Sequence, residues 1–452
     1  MQTKHKTTWS KALLLTALVG LVGQHAYGMD LLQVYQAALQ QDATLQAARS
    51  ATRAEQERLP QARAQLLPNI SLSLTENSNK LESTTPDFLG REQTTLRDYT
   101  SSNQTLSLRQ PLIRPQIWAQ YRQAKAQAVD AQSVYHNEEQ NLAVRVCGAY
   151  FEAMLAHDQM ALIMAQQAVV KSQRDAAQKA YQAGLGTRTD IDETQARLDL
   201  NLAQEIEARQ NVSYTLQQVQ SLISDPITQL PKFNANKLES LELAPQGLEE
   251  WIAQAEQNNP QLQALQARII AAEEEINKTQ SGHWPTLDLV AQLQKSASEN
   301  VTNTSSRYNN STVGLQLNVP LYAGGYYNSA VRQAQANLER AQHNYDAAKR
   351  NLSLQVHKEY RGVTENLAKV KALELALRSA EQLVTSSQKS FQGGSRSILD
   401  ILNAEQQRVS VQRDLMQARY IYLISQIRLL ALTGKADQAA IQQINNIFEA
   451  AW

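Results

Sequence analysis

Residues 122–191 read RQAKAQAVDAQSVYHNEEQNLAVRVCGAYFEAMLAHDQMALIMAQQAVVKSQRDAAQKAYQAGLGTRTDI, and they overlay residues 332–401 at a constant offset of 210 without a gap. Matched pairs include Arg122/Arg332, Ala131/Ala341, Tyr135/Tyr345, Leu142/Leu352, Tyr150/Tyr360, Gly184/Gly394 and Asp190/Asp400. Upstream the offset becomes 217 and pairs Leu31/Leu248, Ala38/Ala255, Leu45/Leu262, Pro68/Pro285 and Leu72/Leu289. A unit of this length occurring twice in one chain points to an assembly rather than a pocket.

No proline lies between Pro115 and Pro226 or after Pro320, so two long stretches lack the strongest helix breaker. Each is divided only at a glycine turn, Gly184-Leu185-Gly186 in the first and Gly393-Gly394 in the second. The spacing predicts a helix from Asp30 to about Ala64, two strands, a helix from Pro115 to about Ala183, a turn, and a helix from Arg188 to about Ser224. The second copy runs from Gly247 to Ser281, through two strands, then Tyr326 to Phe391, a turn, and Ser397 to Thr433. The two flanking helices laid end to end match the long one, at about 100 Å. Val331, Ala334, Leu338, Ala341, Tyr345, Ala348 and Leu352 form a heptad seam for lateral packing.

The strands carry the function. Ile70, Leu72 and Leu74 alternate with Ser71, Ser73 and Thr75, while Leu287, Leu289, Ala291 and Leu293 follow Pro285. The return strands set Leu106 and Leu108 against Ser107 and Arg109, and Val313, Leu315, Leu317, Val319 and Leu321 against Gln316 and Asn318. Four segments of about 10 residues with one apolar face fit tilted membrane strands, although a half-buried soluble sheet shows the same alternation. The helices offer only narrow apolar stripes, so lipid is the partner surface large enough to cover those faces. Glu76 to Asn103 and Ser296 to Asn310, rich in Ser, Thr and Asn, read as external loops. Trp118, Tyr121, Trp284, Tyr322, Tyr326 and Tyr327 gather at the opposite strand ends, where an interfacial girdle belongs. Four strands cannot close a membrane barrel and open edges are not tolerated in lipid, so several chains must share one. Eight strands from two chains leave an interior filled by side chains; twelve from three leave a lumen.

Composition excludes other classes. Lys4, His5, Lys6 and Lys11 precede an apolar run from Ala12 to Gly23 and then Ala26-Tyr27-Gly28, which reads as a signal peptide over residues 1–28 with Met29 as the mature start. The run is 12 residues long, short of the roughly 20 that an uncleaved anchor needs. Removing it leaves 40 basic against 43 acidic residues, with no basic cluster for nucleic acid. The lone Cys147 sits in an apolar helical stretch and reads as core. At 42% hydrophobic and 6% aromatic the chain is underfilled for a compact globule and suits long helices with wet faces. The histidines show no metal-binding pair, Glu273-Glu274-Glu275 points three ways around a helix, and the glycine turns lack a phosphate-loop Lys. No enzyme, metal or cofactor is expected.

The opening DLLQVYQAAL, the junctions QARAQLLPNISLSL, RQPLI and NVPLYAGG, and the tip segments YQAGLGTRTDID and FQGGSRSILDILNAEQ occur in an order that resembles the TolC family of outer-membrane channel-tunnels over essentially the whole mature chain. That resemblance implies a mainly α fold with membrane β. Each chain would carry a duplicated repeat of long coiled-coil helices and four transmembrane strands, closing in a homotrimer as a 12-stranded barrel continued by an α-helical tunnel. The expected divisions are a first repeat at 29–224, an equatorial linker at 225–246, a second repeat at 247–434 and a tail at 435–452. Expected partners are outer-membrane lipid, a periplasmic adaptor and an inner-membrane ABC, RND or MFS transporter. The function implied is passive export for efflux or type I secretion, with a slight lean toward secretion from the opening motif. A periplasmic structural or adaptor coiled-coil protein is the competing class.

By motif position the resemblance assigns Asp400 to the tunnel constriction, Asp190 as its partner in the other repeat, and Arg396 as the arginine tying the hairpins. Phe391 stands where a Tyr hydroxyl often joins that network, Asn403 stands where a second aspartate would make another acidic ring, and Tyr181 completes the gating candidates. The expectation is one acidic ring at Asp400 and a lock leaning on Arg396 with Asp190. Asp190 also suits the first turn of a helix for dipole reasons alone.

Overall fold

A computed structural model describes residues 29–227, 230–240, 247–299 and 301–449; the leader read at 1–28 and the terminal Trp452 lie outside the described residues. The first copy comprises α1 (Leu31–Gln41), α2 (Ala43–Gln56), α3 (Arg58–Ala64), β1 (Asn69–Pro86), β2 (Glu92–Ile113), α4 (Pro115–Gln182) and α5 (Arg188–Ile223). The second comprises α6 (Leu248–Asn258), α7 (Pro260–Gln280), β3 (Thr286–Ala297), β4 (Arg307–Asn318), α8 (Tyr326–Gln392) and α9 (Ile398–Leu432), followed by α10 (Gln438–Asn445). Pro115 opens α4 at a position where its missing N–H costs nothing. At 68 residues α4 spans about 100 Å.

Two expectations need correction. The helix read as continuous from Asp30 to Ala64 breaks at Asp42, whose extended backbone (ψ 117°) ends α1 while its carboxylate accepts the Leu45 N–H at 2.7 Å to start α2; a second break falls at Glu57. The second copy breaks at the equivalent Asn259 (ψ 121°), which caps Leu262 and precedes Pro260. A short polar side chain that competes for the next turn's amide ends one helix and begins another. The connection read as an external loop from Glu76 to Asn103 is mostly strand: β1 and β2 stay in register out to Pro86↔Glu92. Hydroxyl and amide pairs replace apolar ones there, such as Thr84 Oγ1 to Thr94 Oγ1 at 2.9 Å and Asn79 Nδ2 donating to Ser101 Oγ at 2.8 Å. Asp87 closes the hairpin by accepting from the amides of Leu89 and Arg91.

The core is a band around the middle of α4. Leu142, Val146, Cys147, Tyr150 and Met154 are buried there against Leu31 and Val34 of α1, Trp251 of α6, and Tyr422, Leu423 and Ile427 of α9. Burial pushes the Cys147 thiol far above its ordinary value, so it is inert core. The short helices meet the ends of their neighbours at this level: Gln41 of α1 donates to Asp225 just past α5, and Asn259 Nδ2 donates to the Leu432 carbonyl ending α9 at 2.9 Å. Residues 233 and 448 pair as an isolated antiparallel bridge beside them.

Close helix approach concentrates at Gly362 of α8, where a Cβ would lie 2.6 Å from Ser425 Oγ and 3.1 Å from Ser425 Cβ. Gly362→Ala should cost about 1–3 kcal/mol by overpacking. A Ser425→Gly second change should restore most of it, measured as thermal stability in detergent; no rescue would place the strain elsewhere.

Candidate functional site

The sheet runs β1-β2-β3-β4, antiparallel throughout. Strict alternation aligns the apolar residues in rows, Ile70–Leu108–Ala291–Val313 and Leu72–Leu106–Leu293, with Leu289–Leu315 and Leu287–Leu317 beside them. That face is bare in the single chain: Leu72 is 64% exposed and Leu315 66%. The opposite face is polar, with uncharged rows Ser71–Ser107–Gln292–Thr312 and Ser73–Thr105–Gln294–Asn310. Trp118, Trp284, Tyr322 and Tyr326 are exposed where the strands join the helices. Among the described residues no helix is long and apolar enough to cross a membrane.

At the foot of the polar face stands one charged network. Asp288 of β3, 2% exposed, accepts from Arg109 Nε at 3.0 Å and Nη2 at 2.6 Å, and from Arg114 Nε at 2.8 Å and Nη2 at 2.5 Å. The bulge between Pro111 and Ile113 turns the chain so that Arg114, just ahead of α4, reaches the same carboxylate as Arg109. Sequence reading missed this trio; the repeat argument gave Arg109 and Asp288 no common partner.

The far ends of the long helices form two matching turns. Gly184 and Gly394 adopt φ of 73° and 74°, and the next amides, Leu185 and Ser395, reach back to the carbonyls of Ala180 and Ser390. Past the turns, Thr187 with Asp190 and Ser397 with Asp400 make reciprocal capping boxes for α5 and α9. Asp190 Oδ2 accepts from Thr187 N at 2.9 Å and Oγ1 at 2.8 Å; Asp400 Oδ2 accepts from Ser397 N and Oγ, both at 2.9 Å. The Ser397 amide and hydroxyl, aided by the Arg396 charge, hold the Asp400 carboxyl below its ordinary value.

Arg396 donates to Ser387 Oγ at 3.2 Å within its own hairpin, and among the described residues no ion pair joins it to Asp190. Nearest the tips the hairpins are tied by Arg197 of α5, donating to Asn403 Oδ1 of α9 at 2.8 Å, with Gln166 of α4 donating to Gln406 of α9 further along. Arg197 was not foreseen, because its partner is an amide more than 200 positions away in sequence. Tyr181 and Phe391 occupy equivalent places and are both partly exposed, as is Gly186; Gly393 ends α8.

The family model described as "Outer membrane efflux protein" matches residues 34–224 and 251–435. The chain belongs to this family. The alkaline protease secretion protein AprF of Pseudomonas aeruginosa is 34% identical over 98% of this chain and 92% of its own, and the proteases secretion protein PrtF of Dickeya chrysanthemi is 31% identical over 98% and 96%. The outer membrane protein TolC of Escherichia coli is 27% identical over 96% and 88%. Among solved structures, the fold matches CusC at a TM-score of 0.77 with 15% identity, covering 93% of this chain and 95% of that one, and VceC from Vibrio cholerae at 0.74 with 18% identity, covering 90% and 96%. This outer membrane efflux protein is thus mainly helical with a small antiparallel sheet, sits in the outer membrane and extends into the periplasm. It is an export duct, not an enzyme.

Proposed function

We propose that three copies of this chain close into a 12-stranded barrel whose outer face is the apolar rows of the sheet, continued into the periplasm by α4, α5, α8 and α9. The observation that carries this is the bare apolar face backed by a polar one, in a sheet whose first and last strands each pair on one edge only among the described residues. The division into repeats at 29–224 and 247–434, with a linker and tail at 225–246 and 435–452, is the natural reading of that architecture. Substrates pass without energy from the channel itself; an inner-membrane ABC, RND or MFS transporter and a periplasmic adaptor supply it. The names of AprF and PrtF, both protease secretion proteins, favour type I secretion of polypeptides over drug efflux. Outer-membrane fractions should yield heat-modifiable trimers, and a deletion strain should lose extracellular proteins; a soluble periplasmic monomer would overturn the reading.

The tips are proposed to gate the tunnel. Three Asp400 carboxylates around one axis would repel one another and draw cations, as charged rings in pores do. Asp190 retains Oδ1 without a partner among the described residues, free to meet Arg396 of a neighbouring hairpin. Within a chain, Arg197 with Asn403 takes the tying role in place of a carboxylate pair. A charge-assisted contact of this sort is worth roughly 1.5–3 kcal/mol. Arg396→Ser should therefore raise single-channel conductance in planar bilayers by shifting tips toward the open state; unchanged conductance would remove Arg396 from the lock.

A further inference from the structure

The strand register sorts the ionisable residues of the sheet onto its two faces, and the sorting is one-sided. Glu76, Lys80, Glu82, Glu92, Asp98, Lys295 and Arg307 share the face of Leu72 and Leu106 or its continuation above them. The opposite face carries Arg97, opposite Leu81, then Arg109 and Asp288, with Arg114 reaching Asp288 from below. Three arginines against one aspartate leave this face positive, while the residues between are mostly Ser, Thr, Asn and Gln, with Tyr99, Val290 and Gly314 among them. If the apolar rows meet lipid, this second face is the barrel's inner wall, so the inference rests on the barrel reading above.

The foot of that wall has the makings of a ligand site. Each guanidinium carries five N–H donors in a fixed fork. Arg109 and Arg114 each spend only their Nε and Nη2 edges on Asp288, leaving both Nη1 groups uncommitted among the described residues. Asp288 holds the two cations together and neutralises one of them. Arg109 remains half exposed, at 53%, and Arg114 is 27% exposed. Two forks clamped by one shared carboxylate present a rigid, singly positive surface to the lumen. Phosphate and carboxylate oxygens match that geometry.

We propose that Arg109 and Arg114, held by Asp288, form an anion-binding subsite on the inner wall at the foot of the barrel, for carboxylate- or phosphate-bearing substrates entering from the tunnel. Three such sites, one per chain, would hand acidic groups on toward Arg97 further out. An acidic ring at the periplasmic tips and a basic ring at the barrel floor give the duct opposite polarity at its two ends.

The probe is inorganic tripolyphosphate, added on the extracellular side of the full-length channel in planar bilayers at low salt, where the screening length reaches about 30 Å. Wild type should show voltage-dependent block of the potassium chloride current. Arg109→Gln should raise the half-blocking concentration about tenfold, as expected for one lost charge-assisted hydrogen bond. Asp288→Asn, which frees guanidinium donors and leaves two charges uncompensated, should lower it. Equal block in wild type and Arg109→Gln, or easier block in neither Asp288→Asn nor any variant, overturns the site. Should Arg109→Gln fail to assemble, the single variants Arg109→Lys and Asp288→Asn decide: the lysine, keeping the charge without the fork, should need more tripolyphosphate than wild type and the asparagine less, and block equal to wild type in both overturns the site. A trimer that conducts normally but ignores tripolyphosphate sinks this subsite alone; absence of trimers or of any conductance sinks the export reading instead.

Discussion

Leu72→Arg should abolish recovery of heat-modifiable trimers from outer-membrane fractions, whereas Ser73→Arg, one residue on, should leave their yield within about twofold of wild type. Leu72 lies in the row with Leu106 and Leu293 and is 64% exposed in the single chain. Ser73 points the other way, into the row with Thr105 and Gln294. An arginine on the lipid face near the bilayer centre costs about 2–4 kcal/mol. Repeated in three chains the penalty is on the order of 10 kcal/mol, similar to the roughly 5–15 kcal/mol that holds a typical fold together. On the inner face the same guanidinium meets water and neighbouring hydroxyls, at little cost. Equal yields from the two variants would mean that parity along β1 does not separate lipid from lumen, and the barrel reading would go with it.

That contrast rests on a period of two in the sequence, which is why the sheet was legible there. Leu72 and Leu74 against Ser71 and Ser73 state a face and its opposite, and burial confirms the apolar side as bare. The long helices were legible through missing prolines and the turns at Gly184 and Gly394, whose positive φ excuses the glycine. The hairpin beyond Glu76 was not, because with water on both sides the strand has no apolar row to announce it, and Thr84 and Thr94 pair through hydroxyls instead. The breaks at Asp42 and Asn259 left a trace in the Asn259-Pro260 dipeptide and its partner at offset 217, but an amphipathic pattern continuing past a cap masks it. At the tips, Asp190 and Asp400 were singled out by motif; in the fold each closes a capping box with the N-cap Thr187 or Ser397. The Arg197–Asn403 tie and the Arg109–Asp288–Arg114 trio depend on which elements fold side by side, and no local pattern encodes that.

Phe448→Ala should release α10 and the residues after it from the waist of the molecule and open residues 230–240 to limited proteolysis. Phe448 is 5% exposed, with ring centroids 6.0 Å from Phe233, 6.1 Å from Phe151 and 6.3 Å from Tyr150. Its strand contact is equally local: Asn234 N donates to Ile447 O at 3.2 Å and Glu449 N to Lys232 O at 2.9 Å. The linker and the tail therefore hold each other, and this ring joins both to Tyr150 and Phe151 of α4. Emptying its site costs about 3–5 kcal/mol in lost transfer and cavity. Residues 230–240 keep Leu238 in the core and Leu230 beside it, but the loss exceeds what their backbone bridge to the tail returns. Phe233→Ala should reproduce the cleavage pattern, and the double variant should be cut scarcely faster than either single one, because both remove the same contact. Additive cleavage rates would show two independent anchors. Protection equal to wild type in Phe448→Ala would mean that α10, through Ile441 and Ile444 in the core and Asn445 bonded to the Leu31 amide, holds the tail unaided.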